Sequence, residues 1–220
     1  GCGFDVGRPE DGRTQPMSLI ALVGVPDAAA IAPFVSGVSD DAKSRMSDAM
    51  ASAGVVPSYA APSLFRIRDG LYMMMVNHEY GVSGLDADDI AAATVRARGE
   101  LHRIADALRA SGGAWSDFRI LSTAEQIGVR EGRRIRGRYS VTVDDMIEGR
   151  RHDDAVCRVT FGIDVHAPDS HTKSGFDHAV GGKHVVTKPY DIPIRAMLPP
   201  DVDGLVTAGQ IGRASCRERV

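Results

Sequence analysis

Residues 122–139 read STAEQIGVREGRRIRGRY, and the chain is best interpreted outward from this stretch. It holds three glycines, Gly128, Gly132 and Gly137, and five arginines between Arg130 and Arg138. Glycine permits tight backbone bends, and the planar guanidinium of arginine binds carboxylate and phosphate groups. The pattern therefore has two interpretations, a backbone bent around an anion or a strand over residues 133–141 with solvated arginines. Composition alone favours the solvated strand.

The composition is that of an ordinary soluble globular protein, with 43% hydrophobic and 25% charged residues among 220. No apolar run approaches the ~20 residues of a membrane-spanning helix, so no membrane partner is expected. The formal net charge of −3 argues against general affinity for nucleic acid. Three cysteines in no C-x-x-C pattern predict neither a disulfide framework nor a zinc site, and they do not identify a compartment.

The apolar patterns predict strands and one long helix. Residues 64–68 and 71–76 flank Asp69-Gly70, a pair typical of two-residue hairpins, and the second strand is apolar on both faces and so central. Residues 17–25, 118–122 and 155–166 are further predicted strands, the last with alternating faces. Asp86 to Ala110 has a capped start and an apolar stripe, which predicts a long helix. The fold class is therefore α+β, a mostly antiparallel sheet covered by a long helix.

Several shorter sequence patterns add to these predictions. Ser39 is predicted to cap a helix that continues to Ala53, and Thr142 to cap a single turn over residues 143–148. The methionine triplet 73–75 is either flexible core filler, which is favoured, or the wall of a cofactor site. His171 and His178 lie in a polar loop and are interpreted as solvated, so no metal site is expected. Neither a G-x-G-x-x-G nor a P-loop pattern is present.

Both ends of the sequence are unusual. The chain begins with Gly1 and no leader pattern, and residues 211–220 look like one reading frame of a sequencing adapter. These observations predict a fragment with an unrelated decapeptide at its end.

Three ordered stretches resemble a known family. They are EDGRTQPM at residues 10–17, STAEQIGVREGRRIRG at 122–137, and KPYDIPIR at 188–195 running into VTAGQ at 206–210. Together they resemble FAD-dependent oxidoreductases that have a Rossmann flavin domain and an inserted cap domain. The resemblance implies FAD as cofactor and a small organic substrate that exchanges a hydride with it. It also implies that residues 1–16 leave the flavin domain, 17–198 form the substrate domain and 199–210 form a return strand.

Site residues follow from combining this resemblance with the residue chemistry. Backbone donors and cations are needed near the cofactor or an anionic substrate. Candidate catalytic residues, expected to face substrate or flavin, are Arg130, Tyr190 and Arg195. Candidate cofactor-binding residues are Gln126, Gly128, Arg134, Gly209, Arg13 and Gln15. The alternatives left open are a non-enzymatic anion-binding module that uses Arg130 to Arg138, and a flavin-fold binding partner without catalysis.

Overall fold

The computed structural model describes residues 1–169 and 186–208, and the chain divides into two units. The larger unit contains residues 16–129 together with Asp169. The smaller unit contains residues 1–15, 130–168 and 186–208. The smaller unit is thus assembled from three separate segments of the described chain.

A four-stranded antiparallel sheet forms the larger unit. Its strands, in spatial order, are β3 (Ser63–Arg68), β4 (Leu71–Met75), β2 (Ala21–Gly24) and β5 (Arg119–Thr123). The β3–β4 turn is Asp69-Gly70, and Gly70 has a φ of 75°, a conformation that glycine adopts without strain. The predicted hairpin and the central position of β4 are therefore confirmed.

One side of this sheet is a closed apolar core. Ala21 and Val23 of β2, and Tyr72 and Met74 of β4, are buried there. Helix α3 (Ala87–Ser111) contributes its apolar stripe to the same core through Ala93, Ala97, Leu101, Ile104 and Leu108. Asp86 caps α3 by accepting hydrogen bonds from the backbone N–H groups of residues 88 and 89. The long helix predicted over residues 86–110 is thus present with a shift of one residue at each end.

Two shorter helices close the same core. α1 (Ala28–Ile31) continues into a 3-10 turn, Ala32–Phe34, and α2 spans Ala42–Ser52 with Met46 and Met50 fully buried. The prediction that Ser39 caps α2 is wrong. Its hydroxyl instead donates to the Asp41 carboxylate, which also accepts from Arg45 at 2.8 Å, and the helix begins after Asp41.

The smaller unit contains two separate two-stranded ladders. β1 (Phe4–Asp5) pairs with β6 (Arg134–Ile135), and β7 (Ala155–Val159) pairs with β8 (Tyr190–Pro193), both antiparallel. The unit also contains α4 (Val143–Glu148) and a 3-10 turn, Ile194–Met197. The cap of α4 is a capping box between Thr142 and Asp145, as the sequence predicts.

Two predicted strands of the smaller unit are wrong in extent. The strand expected over residues 133–141 has only two paired residues, because Gly137 lies against the carbonyl of Ala196 and the N–H of Arg138 donates to Leu198 at 2.9 Å instead of to a strand. The strand expected over residues 155–166 ends at Val159, and its first four residues are exposed rather than alternating. Within β7 only Val159 is partly buried, and it packs against Val141, Met146 and Tyr190.

The fold class is confirmed as α+β with antiparallel sheets. The division into residues 1–16, 17–198, 199–210 and 211–220 stays a prediction. Residues 199–208 form turns and irregular backbone, while His171, His178, Gly209 and residues 211–220 lie outside the described residues. Over the described residues, none of the helices has the length and hydropathy needed to cross a membrane.

Candidate functional site

The second side of the four-stranded sheet carries a partly open apolar surface, here called the apolar face. It consists of Leu22, Phe65, Met73, Met75 and Leu121. In the sheet register, Leu22 and Phe65 flank Met73 on the two neighbouring strands. Leu22 is 37% and Leu121 59% exposed, and the other three are half-buried. All four strands therefore contribute to one surface that is open to a ligand.

A glycine shapes this surface. A Cβ atom at Gly24 would lie 3.3 Å from the methyl carbons of Leu121, tighter than an ordinary contact. The absence of a side chain at Gly24 therefore lets Leu121 lie across β2.

The methionine triplet is divided between the two sides of the sheet. Met74 has no exposed surface and belongs to the core, whereas Met73 and Met75 are half-buried on the apolar face. This division follows from the alternation of side chains along a strand. The core-filler interpretation therefore fits Met74, and for Met73 and Met75 the cofactor-wall interpretation stays open.

The arginine-rich segment is largely paired within the protein. Arg136 donates to Asp5 at 3.0 and 2.6 Å, and this hydrogen bond holds the pKa of Asp5 below its usual value. Three other arginines of the segment also have partners. The Arg133 guanidinium lies 5.5 Å from the centre of the Phe4 ring, Arg134 donates to the Gly7 carbonyl at 3.3 Å, and Arg138 donates to Asp203 at 3.4 Å. Arg130 is half-buried and also has interactions. These contacts favour the structural interpretation for four of the five arginines.

Gln15 joins the first segment of the smaller unit to two places in its second segment. Its backbone N–H and its Nε2 donate to the Glu131 carboxylate at 2.8 and 3.1 Å, and its Oε1 accepts from the His166 N–H at 2.8 Å. Arg13 strengthens the same junction by donating to the carbonyl of Pro168 at 2.9 Å. The carboxamide of Gln15 is therefore used within the protein, and a role for Gln15 or Arg13 in cofactor binding stays a prediction.

Arg195 is the centre of a second cluster in the smaller unit. Its Nη1 pairs with Asp154, its Nη2 donates to His152 Nδ1 at 2.8 Å, and its guanidinium lies 4.7 Å from the centre of the Tyr139 ring. Tyr139 in turn donates to Asp145 at 2.6 Å. Because Arg195 can only donate, a neutral His152 ring carries its proton on Nε2. The guanidinium is held by its neighbours, and a catalytic role for Arg195 stays a prediction.

Tyr190 lies in the core of the same unit. It is 6% exposed and packs with Val141 and Met146. The ring is thus part of the packing, and its catalytic role stays a prediction.

The remaining candidates lie in the larger unit. Gln126 is exposed, and Gly128 exchanges backbone hydrogen bonds with Ser18 at 3.3 and 2.9 Å. The structure therefore places these two in a different unit from the other candidates it describes.

The sequence analysis missed a buried polar network in the larger unit. Glu100 of α3 is 8% exposed, and its carboxylate accepts from the Ser58 N–H at 2.6 Å, the Ser58 hydroxyl at 2.7 Å and Asn77 Nδ2 at 2.5 Å. Beside it, His78 Nδ1 lies 3.2 Å from the Tyr80 hydroxyl, and burial raises the pKa of Tyr80. The available signal was a glutamate beside Leu101 within the apolar stripe of α3.

The comparisons with known proteins bear on the whole chain. The family described as FAD dependent oxidoreductase has a model that matches residues 1–217. Neither a curated protein nor a solved structure matches the chain. A match of this extent assigns the cofactor of the family, FAD, and the chain belongs to the FAD dependent oxidoreductase family.

Proposed function

We propose that this chain serves in hydride transfer between FAD and a small organic substrate, and that its apolar face forms the substrate side of the site. When bound, FAD supplies the group that takes up or gives back the electron pair. The observation that carries the proposal is the partly exposed apolar face on a sheet whose other side is a closed core.

The helix N-termini of the described residues do not fit the diphosphate of FAD. A diphosphate is held by backbone N–H groups at a helix N-terminus, where the helix dipole favours negative charge. Each α-helix of the described chain has a carboxylate at its cap or in its first turn: Asp27 for α1, Asp41 for α2, Asp86 for α3 and Asp144 for α4. These carboxylates would repel a phosphate, so we assign the diphosphate to no helix described here.

The apolar face fits the substrate better than it fits the diphosphate of FAD. Ligand sites are lined mainly by apolar and aromatic side chains, with few polar groups that fix orientation. The thioethers of Met73 and Met75 adapt to irregular ligand shapes, and Phe65 adds a ring. A surface of this kind excludes water from a substrate, which suits hydride exchange.

A matched pair of arginine substitutions tests this assignment in the protein expressed from its complete open reading frame. Leu121→Arg places a charge on the apolar face, and Val95→Arg places one on α3, where Val95 is 68% exposed. FAD reduction by a panel of simple alcohols, amines and hydroxy acids is followed anaerobically as loss of the visible flavin absorbance. For a panel member that reduces the flavin, Leu121→Arg is expected to lower the second-order rate constant of flavin reduction at least about tenfold, or ~1.4 kcal/mol.

Val95→Arg should leave the rate within about twofold, because surface substitutions away from special features have small effects. Equal rates for the two variants would remove the apolar face from the site. Failure of every panel member to reduce the flavin would contradict hydride transfer with these classes of substrate.

The arginine segment does not favour the non-enzymatic alternative. Arg133, Arg134, Arg136 and Arg138 have partners within the protein. We therefore do not propose an anion-binding module, and the assignment of Arg130 to substrate or flavin stays a prediction.

A further inference from the structure

The methionines of this protein differ sharply in exposure. Five of the eight are at most 2% exposed: Met17, Met46, Met50, Met74 and Met146. Three are half-buried: Met73, Met75 and Met197. Two of these three lie on the apolar face, separated only by the buried Met74.

We propose that Met73 and Met75 form an oxidant-sensitive pair, and that their oxidation by a hydroperoxide closes the apolar face to apolar ligands. In the reaction, the sulfur lone pair attacks one peroxide oxygen, the O–O bond breaks and an S–O bond forms. The sulfur is oxidised by two electrons, and hydrogen peroxide is reduced to water. Methionine sulfoxide is polar, and sulfoxide reductases return it to methionine, so the modification is reversible.

The position of the pair explains why the change acts on the surface and not on the core. Met73 lies between Leu22 and Phe65 in the sheet register, so a sulfoxide there places an S=O dipole among apolar side chains. Contact with an apolar ligand would then leave that dipole without a hydrogen-bond partner, which costs binding free energy. Met74 points into the core and is shielded from the oxidant.

The expected loss of substrate binding rests on the proposed function, whereas the oxidation of Met73 and Met75 does not. Two readouts separate them. Peptide mass spectrometry after graded hydrogen peroxide treatment identifies which methionines gain an oxygen. The fluorescent apolar dye anilinonaphthalene sulfonate, used as the probe, reports whether the apolar face still binds an apolar molecule.

We expect Met73 and Met75 to be oxidised before Met74, and dye fluorescence to fall several-fold as both sulfoxides form. In the double variant Met73→Leu/Met75→Leu, the ratio of treated to untreated fluorescence should stay near one. Met197→Leu is the matched control, since Met197 is half-buried but lies in the smaller unit. Its peroxide response should equal that of the unaltered protein.

Three results would overturn the proposal. They are oxidation of Met74 together with its neighbours, no dye binding before treatment, and unchanged dye binding after both sulfoxides have formed. Loss of dye binding without any loss of substrate turnover would leave the oxidant-sensitive pair in place and would remove the apolar face from the proposed function.

Discussion

Gln15 and Glu131, separated by 116 positions in the sequence, are joined by two hydrogen bonds of 2.8 and 3.1 Å. The side-chain oxygen of Gln15, Oε1, accepts a hydrogen bond from the His166 N–H at 2.8 Å. The junction thereby holds the start of the chain, the arginine-rich segment and residues near 166 in one unit.

Replacement of Gln15 is therefore expected to destabilise the fold. Gln15→Leu removes one hydrogen bond from the Glu131 carboxylate and one from the His166 N–H. Hydrogen bonds to charged groups contribute ~1.5–3 kcal/mol. The free energy of unfolding, measured by urea denaturation, should fall by about 2 kcal/mol. Gln126→Leu is the control, because Gln126 is exposed and its effect should stay within about 0.5 kcal/mol. Equal stabilities would refute a structural role for Gln15.

Two glycine-to-alanine substitutions should have opposite signs. A Cβ atom at Gly137 would lie 2.3 Å from the carbonyl oxygen of Ala196, so Gly137→Ala forces the backbone apart. Gly99 lies within α3, where a Cβ atom would meet only the mobile end of Arg103 at 3.5 Å. Alanine is favoured over glycine in a helix by up to ~1 kcal/mol.

Thermal unfolding distinguishes the two sites. The melting temperature should rise for Gly99→Ala and fall by several degrees for Gly137→Ala. A stabilised Gly137→Ala variant would show that the close approach to Ala196 is absent in solution.

These contacts show where sequence reasoning succeeds and where it ends. The hairpin turn at Asp69-Gly70 and the cap at Thr142 depend on residues a few positions apart, so local patterns predict them. The close approach of Gly137 to Ala196 and the hydrogen bond from Gln15 to Glu131 join residues far apart in the sequence, which no local pattern indicates. Long-range contacts of this kind override the intrinsic preference for a strand.

The apolar face, too, is predictable from the sequence only in part. Alternation along β4 is enough to place Met73 and Met75 opposite Met74. Only the structure shows which of the two sides is the closed core, because that depends on where α3 packs.

Arg130 should be more important for catalysis than Arg138 in the protein expressed from its complete open reading frame. Arg138 pairs at 3.4 Å with Asp203, whose side chain is fully exposed, and such surface pairs contribute little. Arg130→Ala is expected to lower flavin occupancy or kcat/KM more than about tenfold, or ~1.4 kcal/mol. Arg138→Ala should change both by less than about threefold. Small and equal effects would contradict a role for Arg130 at the substrate or the flavin.

Stability should depend on Asp191 in acid. A hydrogen bond from Arg151 holds the pKa of this buried carboxylate below its ordinary value. The unfolded chain, with an aspartate pKa of about 3.9, therefore takes up the proton first. The stabilisation is complete above that value and is lost as the pH falls from it through the lower pKa of the folded state.

Urea denaturation at neutral pH and near pH 3 measures this dependence. Asp191→Asn should weaken the acid sensitivity, whereas Asp203→Asn, at a fully exposed carboxylate, should leave it unchanged. An unaltered pH dependence in Asp191→Asn would contradict the assignment.

The 220-residue chain, purified by itself, should be colourless and should lose added FAD on desalting. Tight binding of FAD needs donors for its diphosphate, and each α-helix in the described chain has an acidic residue at its start. Charge-assisted hydrogen bonds contribute ~1.5–3 kcal/mol each, so a site without several donors for the diphosphate should bind FAD too weakly to retain it. Weak binding of inorganic phosphate by exposed arginines should remain and should disappear as salt is raised. A yellow chain that retains one FAD per molecule after desalting would contradict this prediction.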